Sequence, residues 1–308
     1  EARLEDIMKV LPGPDFPTAG FICGKDAIRE AYKTGKGILQ LRARATVETL
    51  KGGRESIVVT EIPYQVNKAR LLEKISELVQ EKKIEGISDI RDESDREGMR
   101  IVVELKRDEK ASIILNQLYK HTPLQESFGA IMLCLVNNQP RLLGLKEILT
   151  NFLNFRREVV VRRTAFDLKK AEEKAHVLEG LTIALEHLDQ VIALIRRSRS
   201  PEDAKKGLMS RYKLSDVQAH AILDTKLQRL TSLEREKIVE EHKETLSLIK
   251  RLKAILASDE EVMKIVASEI SQIKEKYGDK RRTEIIGPVQ EIQVEDLIQE
   301  EDMVVTIS

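Results

Sequence analysis

From Leu145 to Tyr277 the apolar residues fall almost without interruption at helical spacing, and the rest of the chain is arranged around this stretch. In its second half Ile249, Leu256, Met263, Ile270 and Tyr277 recur every seven positions, with Leu246, Val266 and Ile273 between them. That repeat predicts a coiled-coil seam. In its first half Leu168, Ala171, Ala175, Leu178, Leu185, Leu188, Ile192 and Ile195 are spaced mostly three and four apart and predict the facing stripe. The expectation is a long antiparallel coiled-coil arm, with outgoing helices over 144–199 and one return helix over 233–278 that would run roughly 65 Å. Residues 200–232 carry three helix starts between them. Ser200-Pro201-Glu202-Asp203 offers a cap, a first-turn proline and two acids. Ser215-Asp216-Val217-Gln218 and Thr231-Ser232-Leu233-Glu234 both fit the capping box. A small helical tip is therefore expected to close the pair.

Ahead of the arm the pattern predicts an α+β domain over 1–143. A helix over Ala2–Leu11 stops at Pro12-Gly13-Pro14, a short strand covers Gly20–Cys23, and a second helix covers Asp26–Lys33. At Ile38 the period changes to two: Leu39, Leu41, Ala43 and Ala45 share one face while Gln40, Arg42 and Arg44 share the other. This predicts one strand with one basic face. Lys51-Gly52-Gly53-Arg54 has hairpin-turn chemistry, with Ser56–Ile62 as the returning strand. Asn67 caps a helix reaching Lys83, strands Gly86–Arg91 and Met99–Lys106 flank the turn Ser94–Gly98, and a helix over Asp108–Tyr119 precedes a strand over Ser127–Val136. The layout implies a mostly antiparallel sheet with helices on one face. Past Tyr277, Gly278 and the charge run Asp279–Glu284 end the return helix, and 279–308 reads as a linker towards a further domain.

Composition narrows the function classes. The 308 residues, 41% of them hydrophobic, are enough for two cores. No segment is long and apolar enough to cross a membrane and no secretory pattern is present, so a cytoplasmic location and no membrane partner are expected. Glu1 at the start, in mid-helix pattern, leads us to expect a fragment of something longer. Cys23 and Cys134 sit in apolar contexts away from metal-ligand spacing, as buried free thiols do. Lys plus Arg and Asp plus Glu balance at 52 each, so any nucleic-acid surface has to be local. The five histidines are scattered, and Asp92, Glu93 and Asp95 lie in a turn where acids usually serve the turn itself. Gly35-Lys36-Gly37 lacks the spacing of a nucleotide loop and leads into a strand. The residues by themselves point to no self-contained active site and to no metal or cofactor in this segment.

The basic residues are more informative. Arg29, Lys33 and Lys36 approach the hairpin from one side, and Arg42 and Arg44, two apart on a strand, are expected to project the same way. Such a cluster suits a row of phosphates, or a solvated charged face. Asn67 and Lys68 add a helix N-terminus, which favours an anion. A second basic group, Arg156, Arg157, Arg162 and Arg163, lies at the root of the arm. In the tip, Val217, Ala221, Ile222, Leu223, Leu227 and Leu230 are too apolar for a helix with nothing on its outer side. They either close the end of the pair or make a symmetric dimer contact, for which Ala219, Ile222, Leu223, Leu227 and Leu230 are the expected residues.

Several longer runs carry a family resemblance. They are Pro12-Gly13-Pro14-Asp15-Phe16-Pro17, Glu61-Ile62-Pro63-Tyr64-Gln65-Val66-Asn67-Lys68, Arg91-Asp92-Glu93-Ser94-Asp95-Arg96-Glu97-Gly98-Met99-Arg100, Phe155-Arg156-Arg157-Glu158-Val159-Val160, Gln218-Ala219-His220-Ala221-Ile222-Leu223-Asp224 and Gly278-Asp279-Lys280-Arg281-Arg282-Thr283-Glu284. Together, in order and over nearly the whole chain, they resemble the A subunits of bacterial type IIA topoisomerases, DNA gyrase above all, with topoisomerase IV as the close rival. The resemblance implies that 1–143 is a tower supporting a bent DNA duplex, that the helical pair is an arm, and that 200–232 is the exit-gate contact of a homodimer. It implies an A2B2 assembly with the gyrase B subunit, which carries Mg2+ and ATP. The family's nucleophile is a tyrosine in an Arg-Tyr-Thr setting on a winged-helix domain that would precede residue 1. Arg211-Tyr212-Lys213 is only a superficial lookalike within the tip. The box that opens the family's DNA-wrapping domain is not matched either. The chain alone is thus expected neither to cleave DNA nor to hydrolyse ATP. The rival from another class is a dimerisation scaffold without a DNA role, which has no need of an aligned Arg42 and Arg44.

Overall fold

The computed structural model describes residues 2–50, 53–225, 232–289, 292–293 and 295–297. Two compact units emerge, Glu1–Asn151 with Asp279–Ser308, and Phe152–Gly278. The first unit runs α1 (Leu4–Val10), β1 (Phe21–Cys23), α2 (Asp26–Thr34), β2 (Lys36–Arg42), β3 (Arg44–Thr49), β4 (Glu55–Glu61), α3 (Lys68–Gln80), β5 (Ile87–Asp92), β6 (Ile101–Leu105), α4 (Ala111–His121), β7 (Gln125–Ile131), β8 (Leu133–Val136) and β9 (Gln139–Leu142). The second contains most of α5 (Leu145–Glu186), then α6 (Leu188–Arg197), α7 (Pro201–Tyr212), α8 (Asp216–Leu223), α9 (Ser232–Ala257) and α10 (Asp259–Tyr277). The chain then returns to the first unit as β10 (Glu284–Ile286).

The single expected sheet is in fact two four-stranded sheets and a separate hairpin, in the orders β10-β1-β2-β7, β3-β4-β6-β5 and β8-β9. The cause lies at Ala43. The strand expected to run through Ile38–Ala45 stops at Arg42, Ala43 N–H donates to Leu124 O at 2.7 Å, and a register shift follows between Arg44 and Ala45. The chain thereby leaves one sheet and enters the other. The two-residue period holds on each side of the break, with Leu39 and Leu41 in the core of the first sheet and Ala43 in that of the second. The expected strand over Ser127–Val136 is likewise divided, at Met132, whose N–H donates to Gly35 O. Gly35 ends α2 with φ +82, and a Cβ there would lie 2.7 Å from Leu143 O, so glycine is required. Pairing is antiparallel throughout the described sheets except between β1 and β10.

Of the region expected as a linker over 279–308, the described residues 279–289, 292–293 and 295–297 belong to the first unit, and the rest lies outside the described residues. Asp15 accepts from the backbone N–H groups of Arg282 and Thr283, Arg281 donates to Gly13 O and Pro14 O, and fully buried Thr283 accepts from Phe16 N–H at 2.7 Å. This latch sets β10 parallel to β1. Farther on, Asn116, Gln117 and Lys120 of α4 donate to the carbonyls of Asp296, Leu297 and Ile292.

In the second unit α5 packs antiparallel on α9 and α10. Val160 meets Val262 and Val266, whereas Leu178 and Leu185 meet Ile238. Ion pairs follow the same order, with Arg156 and Arg163 on Glu269, Glu172 on Lys253 and Lys174 on Glu241. The seam differs from the expected one. Ile238, Thr245 and Leu252 are buried seven apart, followed by Val262 and Val266, while Met263, Ile270, Ile273, Tyr277 and Leu246 are exposed. The return helix is interrupted at Ser258, in extended conformation, whose hydroxyl accepts from Glu261 N–H as the cap of a new helix with three acids in its first turn. This interruption shifts the heptad. The outgoing helix is interrupted too, at His187. Ser200 and Ser215 cap α7 and α8, the latter through a complete capping box with Gln218.

Candidate nucleic-acid interface

The expected basic residues do not form one cluster. In β2 the side chains of Leu39 and Leu41 face the core, where Ile28 and Tyr32 of α2 cover them, so Lys36, Gln40 and Arg42 project from the opposite face. Arg29 and Lys33 therefore lie on the helix side of the sheet and Arg42 on the other, contrary to the common direction expected. Asn67 lies on the inner-face side, bordering a cleft with Arg70 above Leu41 and Phe128.

Most of the expected cations are also engaged within the chain. Arg42 donates through Nε to Gln125 Oε1 at 2.6 Å, and its guanidinium lies 4.3 Å from the centroid of the Tyr119 ring. Arg44, half-buried, bonds Glu61 and Glu284 at 3.0 Å each and lies over Phe21. These hydrogen bonds, that to Glu61 foremost, raise its pKa. Arg29 pairs with Glu5 at 2.8 Å. Lys68 meets Asp92 at 2.6 Å and donates to Ser94, while Asn67 Oδ1 accepts from Arg70 N–H as the α3 cap. The hydrogen bond from Lys68, with those from Ser94, holds the Asp92 carboxyl down at about 2. At the other end of β2, about 20 Å from Arg42 at the usual strand rise, Lys33 and Lys36 flank the α2–β2 turn. Both are exposed, and neither makes an ion pair among the described residues. Lys36 and, farther along the same outer face, the terminal nitrogens of Arg42, with Lys33 on the helix side of the turn, are what these residues offer a polyanion.

Three features of this face were not singled out from sequence. Phe21 and Tyr119 act as platforms for the two arginines, and Glu61 and Glu284 neutralise Arg44. The only local signal for Glu284 is the motif in which it sits; its partner is 240 residues away. The exposed Ile38 and Ile131 lie beside Lys36 on the same outer face. The second basic group is structural in part: Arg156 and Arg163 share Glu269, Arg157 pairs with Asp259 and Arg162 with Glu158. The acids of the expected turn serve it as read, Asp92 and Asp95 accepting from Ser94, Glu97 and Gly98 amides.

No tyrosine of the first unit is placed as an exposed nucleophile. Tyr32 and Tyr119 are buried, which raises their pKa, and Tyr64 stacks on Phe16 beside Phe128. In the second unit Tyr212 stacks on His187. Of the expected dimer residues, Ala219 is 0% exposed and Ile222 8%, both inside the core formed with Val191, Leu208 and Leu214. The chain itself covers them. Leu223 is partly exposed, and Leu227 and Leu230 lie outside the described residues.

A family model for the A subunit of DNA gyrase/topoisomerase IV matches residues 1–271. The DNA gyrase A subunits of Clostridium acetobutylicum and Staphylococcus epidermidis are 54% and 52% identical to the chain. The alignments cover 100% of this chain and 37% and 35% of those proteins. The gyrase A subunit of Staphylococcus aureus is likewise 52% identical. The chain spans about a third of the length of the curated relatives it matches. A model matching nearly nine-tenths of the chain, with identity above one half from end to end, shows that the chain belongs to the A-subunit family of DNA gyrase and topoisomerase IV.

Proposed function

We propose that this chain is the DNA-supporting and dimer-forming segment of the breakage-reunion subunit of an ATP-dependent type IIA topoisomerase, one that introduces negative supercoils. The end-to-end identity with DNA gyrase A subunits carries this reading, and favours gyrase over topoisomerase IV. In it the first unit is the tower. Its phosphate contacts come from Lys33 and Lys36, whose ammonium groups are uncommitted among the described residues, with Arg42 adding its terminal nitrogens. Duplex bending costs on the order of several kcal/mol, which such contacts offset. The second unit is the coiled-coil arm, and α7–α8 with the stretch after Leu223 is its exit-gate tip. Breakage chemistry, Mg2+ and ATP lie elsewhere in an A2B2 assembly: the nucleophile on a preceding winged-helix domain, the metal and nucleotide on the B subunit. Cytoplasmic location goes with this role; among the described residues no helix is long and apolar enough to cross a membrane.

The test is a graft. The corresponding segment of the Clostridium acetobutylicum gyrase A subunit is replaced by this chain, the hybrid is combined with its B subunit, and relaxed plasmid is supplied with ATP. Negative supercoiling is the expected outcome. Decatenation without supercoiling would move the assignment to topoisomerase IV, and a folded hybrid that binds no DNA would support the scaffold reading.

A further inference from the structure

Two arginines on neighbouring strands are built alike and end differently. Arg42 and Arg44 each lay the guanidinium 4.3 Å from the centroid of an aromatic ring, Tyr119 for the first and Phe21 for the second. Each donates through Nε, Arg44 to the Glu61 carboxylate at 3.0 Å and Arg42 to the neutral amide oxygen of Gln125 at 2.6 Å. Arg44 then closes a terminal nitrogen on Glu284, so its charge is matched twice. Arg42 meets no carboxylate among the described residues, and its two terminal nitrogens have no partner there. A half-buried guanidinium without a counter-ion is costly unless an anion comes from outside. Its supports are fixed by the fold. Phe21, Arg42 and Gln125 stand in one row across β1, β2 and β7, so strand pairing itself sets the Gln125 amide beside the guanidinium. Tyr119 is buried in the core of the second sheet, and its hydroxyl donates to Ala43 O at 3.3 Å. With one face on a ring and Nε bound, what remains is the pair of terminal nitrogens, a fork that fits two oxygens of one phosphate.

We propose that Arg42 is a preset clamp for one phosphodiester of duplex DNA, with Tyr119 and Gln125 as its positioning residues. This clamp presupposes the DNA-bearing role proposed for the first unit, and adds direction to it: the exposed Lys33 and Lys36 supply point charges, whereas Arg42 holds its phosphate in one orientation. A guanidinium already held in place loses little rotamer freedom when the phosphate arrives.

The experiment is duplex binding by the 308-residue chain across a salt series, with Arg42→Lys, Gln125→Glu and Tyr119→Leu beside the parent and circular dichroism to show that each is folded. Arg42→Lys keeps the charge and loses the fork, so it is expected to weaken binding about tenfold at an unchanged log–log slope. Gln125→Glu turns the Nε contact into an ion pair of the kind Arg44 has, and is expected to make the slope shallower by about 1. Tyr119→Leu removes the platform and not the charge, and is expected to weaken binding several-fold at the parent's slope. In the DNA-free parent the Arg42 Nε–H resonance is expected to be protected from solvent exchange, because Gln125 already holds it. Arg42→Lys binding as tightly as the parent, Gln125→Glu leaving the slope where it was, or an unprotected Nε–H would overturn the clamp while the DNA-bearing role stands. A folded parent that binds no duplex at low salt would remove both.

Discussion

Thr283 shows how much of the first unit hangs on single side chains. Its hydroxyl accepts from the buried Phe16 N–H, and the neighbouring Asp15 carboxylate accepts from two backbone amides, so four residues around Arg281 return the chain to its first sheet. Thr283→Val keeps the shape but leaves that N–H without a partner. A loss of about 2 kcal/mol is expected, read as a lower urea midpoint at constant slope; a change below a few tenths would mean that the latch is incidental. Asp92 gives a second prediction at this scale. Its folded pKa of about 2 lies below the ordinary value, so its ion pair with Lys68 stabilises at pH above about 4 and is lost as pH falls towards 2. Lys68→Met should return the Asp92 carboxyl towards its usual titration range, observable in carboxyl 13C shifts against pH. An unchanged titration would show that Ser94 alone sets it. At this scale sequence reading went far with local chemistry: the caps at Asn67, Ser200 and Ser215 and the turn acids Asp92 and Asp95 all act within four residues of themselves. It failed where the partner is remote, as with Arg44 and Glu284 or Thr283 and Phe16.

At the scale of elements, types were legible and continuity was not. Helices and strands sit near where hydrophobic period placed them, because period reports the buried face of each piece. Their interruptions depend on single residues. Ala43 divides a strand between two sheets, and Ser258 divides the return helix although the seven-residue repeat runs straight through it. The signal was present: serine followed by Asp259, Glu260 and Glu261 is a helix start. A strong heptad concealed it. The observed seam makes a sharp prediction. Leu252 is 8% exposed and Met263 37%. Leu252→Ala is expected to cost about 2–3 kcal/mol and Met263→Ala no more than about 0.5 kcal/mol. Equal losses, or the reverse order, would restore the uninterrupted seam.

For the whole molecule, the presence of both a mixed α/β part and a long helix was legible in the hydrophobic period, while the two units divide inside α5, at Asn151/Phe152, where no change of period marks the place. The return of the chain end to the first unit was not legible, since a three-residue parallel strand has almost no pattern of its own. The placement of the basic residues was only partly legible. Residue type identified the cations, but the two faces of β2 and the internal partners of Arg29, Arg44 and Lys68 are properties of the fold. Among the described residues, Lys33 and Lys36 are the members of that set without an ion pair or a side-chain partner. The central claim, that the first unit bears duplex DNA by its phosphates, is tested most directly by duplex binding across a salt series for the parent chain and a Lys33→Ala, Lys36→Ala double variant. The account predicts binding that weakens steeply with salt, with a log–log slope shallower by about 2 in the variant. A folded parent that binds no duplex at low salt, or a variant with the parent's slope and affinity, would contradict it.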